Sequence, residues 1–204
     1  MKGYDALIIG GGAAGLSCAL VLGSAGKRDY VGGKSIGIIT HQKTSHLQNA
    51  LFNNVLGLYP GTTGASILDS GKKQLAELYP HIDQIEKLKV KMIRREGGGF
   101  QIETNKEKIR AKIVVIAVGY TDLITIKGLE QFIEPHPRAA SEKNRIWLKN
   151  TDHRIENNLY VAGTLAGWRS QFAMASGSGA HVATDILTLW NGGKHTKVHD
   201  KVEN

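Results

Sequence analysis

The sequence predicts an α/β fold with a parallel sheet and a small antiparallel β-meander. The first observation is an apolar run, Ala6–Ile9, that enters a glycine turn and then a helix rich in small residues. The second is a pair of similar runs, Lys112–Gly119 and Asn158–Thr164, which also lead into a glycine, Gly119 in the first and Gly163 in the second. The third is the stretch that begins at Ile85, where apolar and charged residues alternate. Continuous apolar runs are typical of strands buried on both faces, and alternation is typical of half-exposed strands.

The first glycine turn has the spacing Gly10-x-Gly12-x-x-Gly15, between the predicted strand and the predicted helix. This order indicates a Rossmann-like dinucleotide-binding unit. Gly10 permits the sharp turn, Gly12 lets the main chain approach a pyrophosphate, and Gly15 lets the helix pack closely on the strand. The helix start at Ala13 and Ala14 then offers free N–H groups and the positive end of a dipole to the phosphates.

A second parallel strand is predicted at Ser35–Thr40. Dinucleotide-binding units usually place an acidic residue at its end, which accepts hydrogen bonds from the adenosine ribose. This chain has Thr40, His41 and Gln42 there instead. Neutral side chains bind a ribose more weakly than a carboxylate does, so we expect the site to be kept and its affinity to be lower. The polar loop Lys43–Asn54 either reaches the ligand or is simply solvated.

The middle of the chain changes from a helical to a period-two pattern. Ala65–Leu78 has apolar residues at helical spacing, and Pro80 closes this helix. Charged and apolar residues then alternate up to a turn at Gly97–Gly99, and Phe100–Thr104 returns from it. We therefore expect a three-strand antiparallel meander that leads into the buried strand Lys112–Gly119.

The last third of the chain begins with a stretch, 120–157, in which we predict only loop and short strands. A final helix is predicted at Phe172–Trp190, and the small residues of its first half would let its backbone approach a neighbour closely. Residues 191–204 are polar and are predicted to form a frayed tail. We expect one domain over residues 1–190, with 120–157 as a short connection inside it.

Composition and charge exclude several classes of protein. The chain has 204 residues, 41% hydrophobic, which fits one soluble globular domain. Its net charge of +8 comes from scattered basic residues without a nucleic-acid motif, so nucleic-acid binding is not expected. No apolar run is long enough to span a membrane and the start lacks a signal-peptide pattern, so we expect a cytoplasmic protein that forms no membrane contact. The single cysteine, Cys18, excludes an internal disulfide; a homo-oligomer is compatible with the sequence.

Two parts of the chain, Tyr4–Tyr120 and Asn157–Trp190, carry a set of stretches that match one family in the same order. The set resembles the FAD domain of the thioredoxin-reductase-like branch of the pyridine nucleotide-disulfide oxidoreductases. The matching stretches are the glycine turn Gly10–Gly15, the loop Gly57–Gly61, the three-strand meander, the strand Val115–Gly119, and Tyr160–Thr164 followed by Gln171–Ala173.

The resemblance implies FAD as the cofactor. It implies that the Gly10–Gly15 turn holds the pyrophosphate and that Thr40–Gln42 meets the adenosine ribose. By the same resemblance, the main chain at Lys91 and Met92 meets the adenine. Gly119 closes the strand that resembles the family's "ATG" segment, and it belongs to the implied cofactor-binding set.

The carboxyl-terminal motif is implied to hold the flavin end. Gly163 and Thr164 would lie near the ribityl and phosphate groups. The N–H groups at Gln171–Ala173 would point at the pyrimidine side of the flavin, where reduced flavin carries negative charge. Trp168 and Arg169 either cover the ring or pack. The full implied set is Gly10, Gly12, Ala13, Ala14, Gly15, Thr40, His41, Gln42, Lys91, Met92, Gly119, Gly163, Thr164, Gln171, Phe172 and Ala173.

The chain departs from the family where electrons would enter. A nicotinamide-binding domain normally lies between the two motifs, and residues 120–157 are too few for a domain of about 100 residues. A second glycine fingerprint and the redox CxxC pair are also missing. Thr164 stands where the family has an aspartate. These departures indicate that an unknown donor or redox partner supplies the electrons.

The remaining candidate residues are few. Cys18 is expected to be a buried filler of the first helix. His41 and His46 lie near the expected cofactor, where they are either proton donors or solvated. No catalytic acid or base is named. The histidines His136, His153 and His181 lack metal-ligand spacing with any cysteine or acidic residue, so no metal site is expected.

Two function classes follow from these observations. The first is a one-domain FAD-dependent oxidoreductase of unknown substrate. The second is a non-catalytic FAD- or nucleotide-binding module, or a subunit of a larger redox complex. Binding of NAD instead of FAD is disfavoured by the meander and the carboxyl-terminal motif.

Overall fold

The computed structural model describes residues 2–40, 47–119 and 124–199. In these ranges the chain forms twelve strands and three α-helices. The strands are β1 (Lys2–Ile9), β2 (Ile36–Ile39), β3 (Leu51–Phe52), β4 (Thr62–Thr63), β5 (Ile82–Ile85), β6 (Val90–Glu96), β7 (Gly99–Thr104), β8 (Lys108–Ile116), β9 (Ile133–Pro135), β10 (Ile146–Leu148), β11 (Arg154–Glu156) and β12 (Leu159–Val161). The helices are α1 (Ala13–Ser24), α2 (Gly64–Leu78) and α3 (Phe172–Trp190).

The main sheet has the order β11-β12-β8-β1-β2-β5. The strands from β12 to β5 are parallel, and β11 adds an antiparallel edge. Strand β1, which leads into the glycine turn, lies in the middle between β8 and β2. The predicted α/β fold with a mostly parallel sheet and a small antiparallel meander is therefore confirmed.

Strand β8 belongs to both parts of the sheet. Its first half pairs antiparallel with β7, where Ala111 faces Phe100. Its second half pairs parallel with β12, where Ile116 faces Val161, and its other edge pairs with β1 throughout. The last meander strand and the buried parallel strand, which the sequence pattern separates, are thus one continuous strand.

The sheet separates two apolar cores. Successive residues of β1 point to opposite faces: Ile8 packs among α1, α2 and α3, and Leu7 packs beneath β6 and β7. The second core also receives Leu129 and Leu148 from the connection between the two family motifs. Helices therefore cover one face of the sheet, and the meander with part of the connection covers the other.

Some structure lies where the sequence pattern indicated none. Strands β3 and β4 form a short hairpin where no strand was predicted, whereas β9 and β10, which pair with each other, agree with the short strands predicted within 120–157. Part of the predicted tail is packed, because Val198 contacts the helical core and Thr196 is only 4% exposed. Among the residues that the structure describes, none of the helices has both the length and the apolar character needed to cross a membrane.

Candidate functional site

The carboxyl ends of the parallel strands form one continuous edge. At each step the main-chain N–H just beyond one strand donates to the last carbonyl of a neighbouring strand. These hydrogen bonds are Thr40 N to Ile85 O (2.9 Å), Gly10 N to Ile39 O (3.0 Å), Ala117 N to Ile9 O (2.8 Å) and Ala162 N to Ile116 O (2.9 Å). The segments that follow β12, β8, β1, β2 and β5 are therefore held side by side, in the crevice where open α/β sheets bind ligands.

At two positions of the glycine turn there is no space for a side chain. Gly10 has φ +120°, and a Cβ there would lie 2.3 Å from the Ala117 carbonyl oxygen. A Cβ on Gly15 would lie 1.8 Å from the Gly10 carbonyl oxygen. Gly12, by contrast, has φ −83°, which any residue adopts. Gly10 and Gly15 are thus required by the fold, whereas the backbone conformation of Gly12 does not itself demand glycine.

Two helices begin at this edge without a side-chain cap. Within the described ranges, no side chain caps α1 at Gly12 or α3 at Gln171, and neither first turn holds an acidic residue. Helix α2 differs, because the Thr63 hydroxyl accepts a hydrogen bond from the Ser66 N–H at 3.2 Å. The first N–H groups of α1, at Ala13 and Ala14, and of α3 are therefore available to an anionic ligand.

Thr40 lies beside the glycine turn with an unused hydroxyl. The residue is 7% exposed, and its Oγ1 has no hydrogen-bond partner in the part of the chain that the structure describes. A Cβ on Gly11 would lie 2.9 Å from the Thr40 Cγ2, so the two segments touch. A cavity of about 210 Å³ opens between them and Leu68 of α2. The other predicted ribose contacts, His41 and Gln42, lie outside the described residues, as does His46.

The turn Gly163–Ala166 brings the carboxyl-terminal motif to the start of α1. Gly163 has φ +80°, and a Cβ there would lie 3.1 Å from the Ala14 Cβ. Its N–H donates to the buried Ser178 hydroxyl at 2.7 Å. Gly119, another member of the predicted set, follows β8 at the same edge with φ +81°, and no atom of the described residues lies within 4 Å of an added Cβ there. Positions from both motifs therefore meet at the helix start.

The connection between the motifs supports this turn. His136 is buried, and its Nε2 donates to the Thr164 carbonyl at 3.0 Å. Its Nδ1 accepts the Arg138 N–H at 3.1 Å, and the Arg138 guanidinium donates to the Gly167 carbonyl. No sequence motif had indicated a role for His136. The structure shows that it helps to hold the position of Thr164.

A second cavity lies at the start of α3. It has a volume of about 250 Å³, and its lining includes three basic residues, Arg138, Lys143 and Arg169. Gln171 lines it as well, so the helix N-terminus and the basic groups favour the same, negative, sign of ligand charge. In the first turn of α3, Phe172 packs against Phe52 of the β3–β4 hairpin, with ring centroids 5.3 Å apart. Ala173, the next residue of this turn, is exposed.

Trp168 stacks on the side chain of His153. Its indole lies parallel to the His153 ring, with centroids 5.3 Å apart and planes 23° apart. Of the two predicted roles, covering a flavin ring or packing, these contacts favour packing.

Lys91 and Met92 lie in β6, which pairs with β7 on one edge and is bridged by Lys127 on the other. The Lys91 carbonyl accepts the Lys127 N–H at 2.9 Å, and Met92 is paired with Glu103 of β7. This strand pairing uses main-chain groups that were expected to face the adenine. The residue that follows β5 at the carboxyl edge is Glu86, which the sequence analysis overlooked.

The only cysteine is a packing residue. Cys18 is fully buried in the helical core, and burial raises the pKa of its thiol to about 12. A neutral, buried thiol is a poor nucleophile and a poor redox group. The expectation of a filler is confirmed.

Residues far apart in the chain meet at the side of α3. His181 and Asp185 of α3 face Asp152 and His153, which precede β11. Burial lowers the pKa of His153, although the hydrogen bond to the Val161 carbonyl opposes this effect. Burial also raises the pKa of Asp185. Spacing along the sequence did not reveal this cluster, because the fold alone brings its two halves together.

Comparison with known proteins identifies relatives of the chain. The family model described as pyridine nucleotide-disulphide oxidoreductase matches residues 4–167. Curated relatives include ferredoxin–NADP reductases of Streptococcus pyogenes serotypes M3 and M2, 30% identical over 118 residues, which is 58% of this chain and 35% of each relative. The chain thus spans about a third of the length of the curated relatives that it matches.

Solved structures share the fold. A thioredoxin reductase from Gloeobacter violaceus superposes with a TM-score of 0.75 at 12% identity, covering 98% of this chain and 99% of that one. A ferredoxin-flavin thioredoxin reductase from Clostridium acetobutylicum gives a TM-score of 0.69 at 18% identity, with coverages of 94% and 99%. At such identities the likeness is one of fold.

Proposed function

The chain belongs to the pyridine nucleotide-disulphide oxidoreductase family, and from this premise we propose that it is a flavoprotein oxidoreductase that binds FAD along the carboxyl edge of its sheet. We further propose that a redox partner or a small donor supplies its electrons. The support comes from the family, from the geometry of the edge and from the short connection between the two motifs.

The observation that carries the proposal is the contact between the two motifs. The Gly163 turn lies against Ala14, at the uncapped start of α1. The second uncapped helix start, that of α3 at Gln171, follows the same turn closely in the chain. One extended ligand with central phosphates and two polar ends fits this arrangement, because the phosphates meet the α1 N–H groups while one end reaches α3.

The adenosine end is assigned to the cavity beside Thr40. A buried hydroxyl without a partner costs free energy, and a ligand hydroxyl in this cavity would give Thr40 Oγ1 the missing hydrogen bond. The residues next in sequence, His41 and Gln42, remain proposed ribose contacts. For the adenine, the Lys91 carbonyl is already paired with Lys127, so Glu86, beyond the end of β5, is the better placed candidate.

The flavin end is assigned to the start of α3. Bound FAD supplies the two-electron chemistry of the protein. The chain's own contribution is electrostatic, because the N–H groups at Phe172 and Ala173 and the dipole of a 19-residue helix stabilise negative charge placed there. Arg169 and Arg138 line the adjoining cavity and add positive charge. His136 keeps the Thr164 carbonyl in position through its hydrogen bond.

The route of the electrons follows from the connection. Residues 124–157 form two short 3₁₀ turns and the strands β9, β10 and β11, and they dock on the Gly163–Gly167 turn through His136 and Arg138. Positioning a nicotinamide ring against a flavin normally requires a dedicated domain. In this chain the connection instead supports the Gly163–Gly167 turn at the proposed cofactor site. The net charge of +8 favours a negatively charged donor or partner.

The test is to identify the ligand and then to reduce it. The purified chain is denatured, and the released ligand is identified by mass; the apoprotein is then titrated with FAD. FAD that bleaches with a chemical reductant and recovers with an added acceptor over many turnovers supports the oxidoreductase. FAD that no donor reduces supports the non-catalytic binding module. Release of NAD, or no affinity for FAD, overturns the proposal.

A further inference from the structure

We propose that Asp152, His153 and His181 form a binding site for a divalent transition-metal ion of the Zn²⁺ type, which none of the family motifs includes. The site joins the turn before β11 to the side of α3, nine residues after Phe172, where that helix begins. This distance is about 14 Å along the helix axis. The inference is independent of the proposed function, because it uses none of the residues assigned to FAD.

The spacing of the side chains is that of a metal site before closure. One ligand atom from each of the three residues lies within 4.8 Å of the others. His181 Nε2 is 3.4 Å from Asp152 Oδ1 and 3.4 Å from Asp185 Oδ2. Ligands bound at about 2.0–2.1 Å in a tetrahedron are separated by roughly 3.4 Å. Both contacts of His181 already have this length, and the ligand atoms of Asp152, His153 and His181 are nowhere more than 4.8 Å apart.

The second observation concerns His153. The residue is 1% exposed, and its Nδ1 lies 3.0 Å from the Val161 carbonyl oxygen, to which it donates its proton. The lone pair of the ring is therefore on Nε2, and this buried nitrogen has no hydrogen-bond partner among the residues that the structure describes. Metal-binding histidines commonly have this arrangement, in which a carbonyl fixes one ring nitrogen and the other coordinates.

The surroundings hold His153 in place for such a role. The main-chain N–H of His153 donates to the Asn150 Oδ1 at 2.9 Å, and the Ser178 hydroxyl lies 3.4 Å from the ring Nδ1. Trp168 stacks on the ring and shields it from water. Since the ring is fixed by these contacts, the exposed partners Asp152 and His181 are the groups that close on an ion.

Charge and ligand type decide the class of ion. The carboxylates of Asp152 and Asp185 face two imidazoles, so a dication would balance the two negative charges. Two nitrogen ligands with carboxylate oxygens suit Zn²⁺, Co²⁺ or Ni²⁺, whereas Mg²⁺ and Ca²⁺ prefer oxygen alone. Asp185 contacts His181 Nε2 at 3.4 Å but lies outside the set of three residues whose ligand atoms are all within 4.8 Å of one another.

The experiment is calorimetric titration of the untagged full chain, dialysed against a chelator, with Zn²⁺ and separately with Mg²⁺. The expected result is one Zn²⁺ per chain and no binding of Mg²⁺. His181→Ala and Asp152→Asn change side chains that are 44% and 74% exposed, so both variants should fold. Each should weaken Zn²⁺ binding by about tenfold or more.

Matched controls remove an exposed imidazole and an exposed carboxylate elsewhere. His195→Ala and Asp69→Asn should bind Zn²⁺ like the unchanged chain. The absence of Zn²⁺ binding, or equal affinity in the His181 and His195 variants, overturns the proposal. Because the measurement does not involve FAD, its failure leaves the proposed function untouched.

Discussion

Gly179 of α3 lies in main-chain contact with Ala14 of α1: a Cβ at position 179 would stand 1.9 Å from the Ala14 carbonyl oxygen. Ala14 belongs to the first turn of α1, directly after the glycine turn. The contact therefore sets how far the start of α3 is from the proposed phosphate site. Only glycine permits this approach at position 179.

Replacing Gly179 with alanine should destabilise the protein, because the new methyl group forces the two helices apart. Overpacking of this kind typically costs about 1–3 kcal/mol. Gly177 is the matched control, since it lies on the same helix with nothing within 4 Å of an added Cβ. Gly177→Ala should stabilise the fold by about 0.5–1 kcal/mol through helix propensity. Urea unfolding measures both, and equal effects would contradict the close contact.

Gly12→Val should abolish retention of FAD while the chain still folds. The main chain at Gly12 has φ −83°, so a side chain there causes no backbone strain, but it occupies the place proposed for the pyrophosphate. We expect the affinity for FAD to fall by about tenfold or more, measured by titration of the apoprotein and checked for folding by circular dichroism. Gly10→Val, at φ +120°, should instead fail to fold. A fully yellow Gly12→Val protein would argue against the phosphate site.

NADH and NADPH should reduce the FAD-loaded protein only slowly, because residues 124–157 support the Gly163–Gly167 turn and do not position a nicotinamide ring. Anaerobic stopped-flow absorbance measures the rate, and chemical reduction of the same sample is the control that the flavin is competent. No disulfide reductase activity is expected, since Cys18 is the only cysteine. Fast, saturable reduction at micromolar NADPH would reveal a nicotinamide site in this chain.

Cys18 should be unreactive toward a thiol reagent at pH 8 in the native protein. Its thiol is fully buried and its pKa is raised to about 12 by that burial, so almost no thiolate exists and the reagent cannot reach it. In denaturant one thiol per chain should react at once. Rapid labelling of the native protein would mean that α1 opens locally and exposes the thiol, which would contradict the packing described above.

Asp5 should contribute to stability in a defined pH range. Burial alone would raise its pKa, but the hydrogen bonds from Lys112 Nζ (2.8 Å) and the Ser35 N–H (2.9 Å) outweigh burial and lower it. An acid with a lowered folded pKa stabilises the fold above its unfolded pKa of about 3.9, and this stability is lost as the pH falls through the lower folded value. The acid side of the thermal-unfolding profile below about pH 4 should therefore be flatter in Asp5→Asn.

The control for Asp5 is Asp69→Asn, on the exposed side of α2 where the carboxylate pairs with Lys73 on the surface. Exposed pairs of this kind contribute little to stability, so this variant should keep the slope of the unchanged chain. Identical pH profiles of thermal unfolding for the two variants would show that the contacts of Asp5 do not cause the loss of stability at low pH.

Local pattern by itself determined much of the molecule. The strand over Ala6–Ile9, the glycine turn and the helix after it, and the bounds of α3, follow from apolar runs and from glycines whose positions a turn or a close contact explains, although β1 itself begins earlier, at Lys2. The sequence also indicated that Thr40 would stand at the ligand edge. These features depend on neighbours within a few residues, and such neighbours are visible in the sequence.

The tertiary structure decided what distant segments do to one another. It merged two predicted strands into β8, and it engaged the Lys91 carbonyl with Lys127. It left the Thr40 hydroxyl, beside Gly11, without a hydrogen-bond partner among the described residues, and it placed His153 against His181 of α3. Strand pairing, burial and helix contacts between remote parts of the chain cause these outcomes, and no local spacing encodes them because each depends on which segments the sheet order brings together.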